Sequence, residues 1–204
     1  MELQHTTRLV ARSKSFDPDT ALAKATQLFW RQGYEATSID DLVRVMGINR
    51  ASLYGTFGDK HALFLKALDR YISTIQQPRL SALDRASSAS AAIRAMLLEL
   101  AAFAAGDPQR RGCLLVNSAC ELGSRDPDVA ARLRAQAAAL EGRLVELLAR
   151  GQQSGEISTR HTPKALARTL TTMIDGVRVR SKLSVQPDYF DSIVDATLAI
   201  IAPG

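Results

Sequence analysis

The sequence predicts an all-α fold of about nine helices, with a compact group of short helices at the N-terminus and a bundle of long ones after it. Three observations lead there. Aromatic residues make up 5% of the chain and alanine is abundant, a balance that favours helices over strands. Proline follows a capping side chain at Asp17-Pro18, Asp107-Pro108, Asp126-Pro127 and Thr162-Pro163, and Gln186-Pro187-Asp188 is a looser case. Each pair reads as an N-cap and a first helical position, where the missing N–H costs nothing and the fixed φ is already helical. Finally, Val129, Leu133, Ala137, Leu140, Leu144, Leu147 and Leu148 step by three and four residues, as the buried stripe of one helix does.

Taken in order, the first helix spans 18–32 and ends at Gly33, a natural C-terminal glycine. Ser38 caps a short second helix through Met46, Gly47 ends it, and a third covers about 50–57. Gly58-Asp59 stops the third, and Asp59 caps a long fourth helix to about Gln76. Pro78 reads as a terminator, and 78–90, rich in serine and alanine, as a linker. Helices then follow at about 90–105, 108–122, 127–152, 163–184 and 187–202, with Pro203 closing the last. The expected organisation is a basic arm at 1–16 carrying Arg8, Arg12 and Lys14, a first domain at 17–77 and a second at 78–204.

Composition narrows the function classes. Charged residues at 23% and apolar ones at 46% are globular values, so neither a disordered nor a fibrous chain is expected. The longest apolar run, 89–105, is interrupted by Arg94 and Glu99, so no membrane partner is expected. The first ten residues lack the apolar stretch of a secretory signal, and two cysteines suit a reducing cytoplasm. A net charge of +5 favours an anionic partner, though no basic block stands out.

The stretch 39–57 has the layout of a helix-turn-helix. Ile39, Leu42, Val43 and Met46 form the inner face of its first helix, Gly47 allows the sharp turn, and Ile48 plugs the angle. Leu53 and Phe57 anchor the second helix inward. That leaves Arg50, Ser52, Tyr54 and Thr56 outward, small or polar groups suited to a major groove and its phosphate walls. By itself such a pair is also an ordinary helical hairpin.

The run from Asp17 to Tyr71 closely resembles the DNA-binding domain of TetR/AcrR-type transcriptional regulators. The matching pieces are Leu28-Phe29, Gly33-Tyr34, Ala36-Thr37-Ser38-Ile39, Met46-Gly47-Ile48, Ser52-Leu53-Tyr54, Phe57-Gly58-Asp59-Lys60 and Leu63-Phe64. The resemblance implies a homodimeric repressor that binds a near-palindromic double-stranded DNA operator. It also implies a C-terminal bundle that takes a small-molecule effector, and last two helices that pair across the dimer. Residue by residue, Thr37, Ser38, Tyr54 and Lys60 are expected at phosphates. Arg50, Ala51, Ser52, Gly55 and Thr56 fall at the base-facing positions, with Arg50 able to bind guanine in bidentate fashion. Val43 replaces a common alanine and Gly55 a frequent histidine or aromatic. Asp40 and Asp41 sit well for the helix dipole but badly beside phosphates.

The second half is less explicit. Arg111-Gly112-Cys113-Leu114-Leu115-Val116-Asn117-Ser118 resembles the sixth-helix region of one TetR subgroup. Cys113, near a helix N-terminus and beside Arg110 and Arg111, is either an oxidant- or electrophile-sensing thiol of lowered pKa or a small residue filling the core. Cys120 lies seven residues on, roughly 10 Å along a helix, too far for a disulfide. The family geometry suggests a ligand pocket lined by Tyr71, Ile75, Met96, Phe103, Cys113, Asn117 and Met173, with Asn117 as its polar group. Inward charge is not evident, which favours a neutral or weakly polar ligand. His5, His61 and His161 lack metal-ligand spacing, so neither metal nor cofactor is expected.

Apolar stripes at Leu166, Leu170, Met173, Ile174 and Val177, and at Ile193, Val194, Leu198 and Ile201, are the candidate dimer surface. An enzyme with a Cys113 nucleophile is the rival from another class, but no histidine base is placed near it by any local motif. A helical partner-binding module without DNA is the other.

Overall fold

In the computed structural model, which describes residues 16–183 and 188–203, every regular element is helical. The basic arm of Arg8, Arg12 and Lys14 and the helix start at Pro187 lie outside the described residues. Nine continuous helices occur among those described. α1 is Pro18–Gln32, α2 Ile39–Met46 and α3 Arg50–Phe57. α4 joins Lys60–Tyr71, a π turn at Ile72–Gln76 and Gln77–Asp84 without a break. There follow α5 (Ala89–Gly106), α6 (Leu114–Leu122), α7 (Pro127–Gln153), α8 (Pro163–Arg180) and α9 (Tyr189–Ile201).

The caps explain most of the boundaries. The Asp17 side chain accepts the amides of Asp19 and Thr20 with Pro18 in the first turn, and Asp126 and Thr162 do the same work before Pro127 and Pro163. α2 opens with a full capping box between Ser38 and Asp41 and closes at Gly47, whose φ of 73° is left-handed. α5 is capped by Ser88, and Glu156 reaches across to accept from the hydroxyl of Ser88 (2.5 Å) and the amide of Ser90 (3.2 Å). Those bonds, the Ser88 one foremost, hold the Glu156 pKa down at about 2.

Three expected boundaries are corrected. Pro78 does not end α4, and 78–90 is not a linker, because Gln77–Asp84 continues the helix. The π turn, whose Gln77 amide bonds back to the Ile72 carbonyl, adds a residue and rotates the inward stripe. Leu80 lies nine residues after Tyr71, about two and a half turns of regular α-helix and hence the opposite face; here Tyr71, Leu80 and Leu83 are all buried. Asp107-Pro108 does not start a helix either. The Asp107 carboxylate instead accepts the Gln109 and Arg111 amides, 3.2 and 2.9 Å away, and so holds a turn. Arg110 and Gly112 then take φ of 48° and 67°, so α6 begins at Leu114. α8 stops at Arg180, short of 184.

The core falls into two clusters. One gathers α1–α4 around Phe29, Leu42, Leu53, Phe64 and Leu68, and takes in Cys113, Leu114, Leu115, Leu122 and Val129 from beyond residue 77. The other joins α5, α7, α8 and α9 around Ile93, Leu97, Leu144, Leu148, Leu170 and Val194. Ala89–Gly106 is, by length and composition, apolar enough to cross a membrane, contrary to the reading of Arg94 and Glu99 as breaks. Its Ile93, Leu97 and Ala101 are buried in this second cluster.

Candidate nucleic-acid interface and interior cavity

α3 is fixed by Leu53 and Phe57, both buried, and by Asn49, whose side chain accepts the Ser52 amide at 2.8 Å. Its outer side presents Arg50, Ala51, Tyr54 and Gly55, with Ser52 and Thr56 half-buried. Tyr54 is 48% exposed. Space around Gly55 is open, so no packing demand explains the glycine. Lys60 begins α4 and rests its ammonium 4.3 Å from the centre of the Tyr34 ring, while Tyr34 packs on Phe64. Arg50, Tyr54 and Lys60 are thus placed by a rigid scaffold.

Two of the expected contacts are altered. Thr37 is fully buried, its hydroxyl donates to the Gly33 carbonyl at 2.6 Å and its amide to Tyr34, so it shapes the turn and has no group left for a phosphate. Ser38 is exposed, but its hydroxyl is shared with Asp41 in the capping box. Arg50 pairs with Asp40 at 2.6 Å, both side chains well exposed, so reading a base means exchanging that carboxylate for it.

The N-terminal helices are tied to the second half of the chain. Glu121 of α6 accepts the amides of Tyr34 (2.9 Å) and Glu35 (2.7 Å) in the turn before α2. Gly33, at φ 84°, makes room for it: a Cβ there would lie 2.8 Å from the Glu121 carboxylate. The Trp30 indole donates to the Gly112 carbonyl at 3.0 Å, and the Arg111 guanidinium covers the same ring at 4.2 Å while bonding Asp107 and Gln27. His61 meets Asp126 at 2.7 Å and Arg132 meets Asp69 at 2.9 Å. His61, Asp126 and Asp128 bring candidate metal-ligand atoms within 4.8 Å of one another, a grouping the sequence spacing did not show. The Asp126 oxygens there already serve as helix cap and His61 partner.

Behind these ties lies a cavity of about 360 Å³ between α4, α5, α7 and α8. Tyr71, Met96, Phe103 and Cys113 line it, as expected. Ile75 does not; it borders a shallow groove between α1 and α4. Asn117 lies off the cavity too, and its amide is already satisfied, donating to the Arg111 carbonyl (2.8 Å) and accepting from Lys182 (3.2 Å). Met173 packs half-buried on the second core cluster. The residues not foreseen include Gln76, Arg79, Leu80, Leu83, Glu99, Leu140, Ile174 and Arg178.

Cys113 is buried at the N-cap of α6, and the Tyr71 hydroxyl donates to its sulfur at 3.6 Å. Burial, reinforced by the thiol, pushes the Tyr71 pKa up and keeps that donor protonated. Arg111 is spent on Asp107, Gln27 and Trp30. Cys120 is exposed, and both thiols are free.

Known proteins match this chain over nearly its whole length. Residues 21–67 match the family of bacterial regulatory proteins, tetR family, and residues 89–197 the tetracyclin repressor-like C-terminal domain. The chain is 33% identical over 194 residues to the uncharacterized HTH-type transcriptional regulator YezE of Bacillus subtilis, covering 94% of this chain and 100% of that one. It is 32% identical to the HTH-type transcriptional repressor ComR of Escherichia coli, covering 93% and 90%. A cysteine mutant of the TetR family regulator CifR, solved with 26-bp double-strand operator DNA, superposes with a TM-score of 0.81 at 30% identity over 94% of this chain and 100% of that one. The chain therefore belongs to the TetR family, whose members are DNA-binding transcriptional regulators and not enzymes.

Proposed function

We propose that the protein is a homodimeric repressor that leaves its operator when a small molecule enters the cavity. One observation carries the reading: the segment 107–113 faces both ways. Cys113 lines the cavity, and next to it the Gly112 carbonyl holds Trp30 of the reading head. A ligand that displaces this segment, or tilts α4 through Tyr71, moves the two heads apart. It shifts the equilibrium only by as much as it prefers the spread form. A protein that acts on chromosomal DNA in this way works in the cytoplasm.

For the dimer, the stripes expected from the sequence turn inward: Leu166, Leu170, Ile174, Val177, Val194 and Ile201 are buried within the subunit. Support comes from other residues of the same helices. Val179 and Ile200 are large, apolar and about half exposed, and Gly176 leaves open space for close helix approach. Thiol sensing at Cys113 has support in the Tyr71 hydroxyl, a donor placed to stabilise a thiolate.

The test is a fluorescence-anisotropy titration against DNA from the protein's own upstream region at several salt concentrations. Tyr54→Phe and Lys60→Ala should weaken binding alike on operator and competitor DNA, and Lys60→Ala should lower the salt slope by about 1. Undiminished binding in both variants would remove these residues from the interface. In the same assay Cys113→Ser should abolish release by a thiol-reactive electrophile, and unchanged release would rule out the thiol.

A further inference from the structure

Gln76 is 94% buried by its 6% residual exposure, lines the cavity, and its Nε2 is without a hydrogen-bond partner. It is the one buried side-chain N or O atom in that position among the described residues. A buried donor left unpaired costs stability, whereas an apolar side chain of similar size would not. The chain also goes out of its way to place it there. Gln76 closes the π turn of α4, and the added residue turns its side chain inward together with Leu80 and Leu83.

The rest of the wall says what Gln76 would meet. Leu80, Leu83, Met96 and Phe103 make most of it apolar. The two guanidinium groups on the wall are already neutralised, Arg79 by Glu99 at 2.8 Å and Arg178 by Asp175 at 3.3 Å. A carboxylate ligand would have to displace one of these partners before it gained a counter-charge. A neutral acceptor needs only the amide.

We infer that the effector is a compact apolar molecule carrying a neutral carbonyl, and that Gln76 is the residue that selects it by donating to that oxygen. This rests on the reading of the cavity as the effector site.

Three ten-carbon probes separate the possibilities: butyrophenone, butylbenzene and 4-phenylbutyrate, titrated calorimetrically into the full-length protein and into Gln76→Leu. The ketone should bind the wild-type protein about 5- to 30-fold more tightly than the hydrocarbon, the range expected for one good hydrogen bond in a dry site. It should also bind more tightly than the carboxylate. Gln76→Leu should erase that preference and leave butylbenzene binding within about twofold. Its melting temperature without ligand should rise by about 2–6 °C, since the unpaired donor is gone.

Equal binding of ketone and hydrocarbon to the wild-type protein would overturn the selection by Gln76 and leave the cavity standing as a binding site. Tightest binding of the carboxylate, or a preference for the ketone that survives in Gln76→Leu, would overturn it as well. If none of the three binds the wild-type protein, the effector-site reading falls together with this inference. The wild-type comparison decides these cases without the variant.

Discussion

Glu121→Ala is expected to lower the melting temperature by about 3–12 °C. Its carboxylate accepts two backbone amides, those of Tyr34 and Glu35, from the turn that aims α2 and α3. Charge-assisted bonds of this kind contribute about 1.5–3 kcal/mol each when made to a partly buried group, less where water can replace the acceptor. One of the two amides is part-buried and the other exposed, so a combined loss of about 1.5–3 kcal/mol is the reasonable expectation. For a chain near 200 residues, each kcal/mol moves the midpoint by about 2–4 °C. Glu121→Gln keeps one oxygen and should fall between. Calorimetric melting of the three proteins measures this, and an alanine variant that melts with the wild type would show that the carboxylate is not a latch.

On the reading of Arg50 as a bidentate base contact, Arg50→Ala should reduce operator affinity about 5- to 150-fold, while affinity for unrelated DNA falls only by the effect of one charge. The Asp40 partner sharpens the test. Because Asp40 and Arg50 are both exposed, their pair is worth at most about 1 kcal/mol, and Asp40→Asn should raise operator affinity by a few-fold by freeing the guanidinium and removing a carboxylate near the phosphates. Competition titrations on operator and scrambled DNA read both effects. Equal losses on both DNAs in Arg50→Ala would assign Arg50 to the backbone.

What could be read from sequence was whatever is local. Ser38, Gly47, Asp59 and the caps at Asp17, Asp126 and Thr162 act on neighbours a few residues away, so they mark helix ends without any knowledge of the fold, whereas Asp107-Pro108 carries the same local signal and only holds a turn. The helix-turn-helix and its outward Tyr54 were legible for the same reason. The cavity was not, because its membership depends on the phase of α4 after the π turn, and nothing in the string around Gln76 signals an added residue. Asn117 shows the same limit from the other side. Being polar and inward-facing suggested a ligand group, yet its partners are the Arg111 carbonyl, six residues back, and Lys182, 65 residues on. The stripes of α8 and α9 told truly that those residues are covered; periodicity does not tell whether the cover is the same subunit or another.

The first core cluster does not stop at residue 77: Cys113, Leu114, Leu115, Leu122 and Val129 pack among Phe29, Phe64 and Tyr71. The head is therefore not a detachable module. Cut at residue 77, within α4, it would carry an apolar wound where α6 had been, and a chimera that grafts residues 17–77 onto another bundle inherits the same defect unless 113–129 travels with it. New specificities in this chain are thus more readily reached by changing side chains on the surface of α3 than by exchanging whole domains.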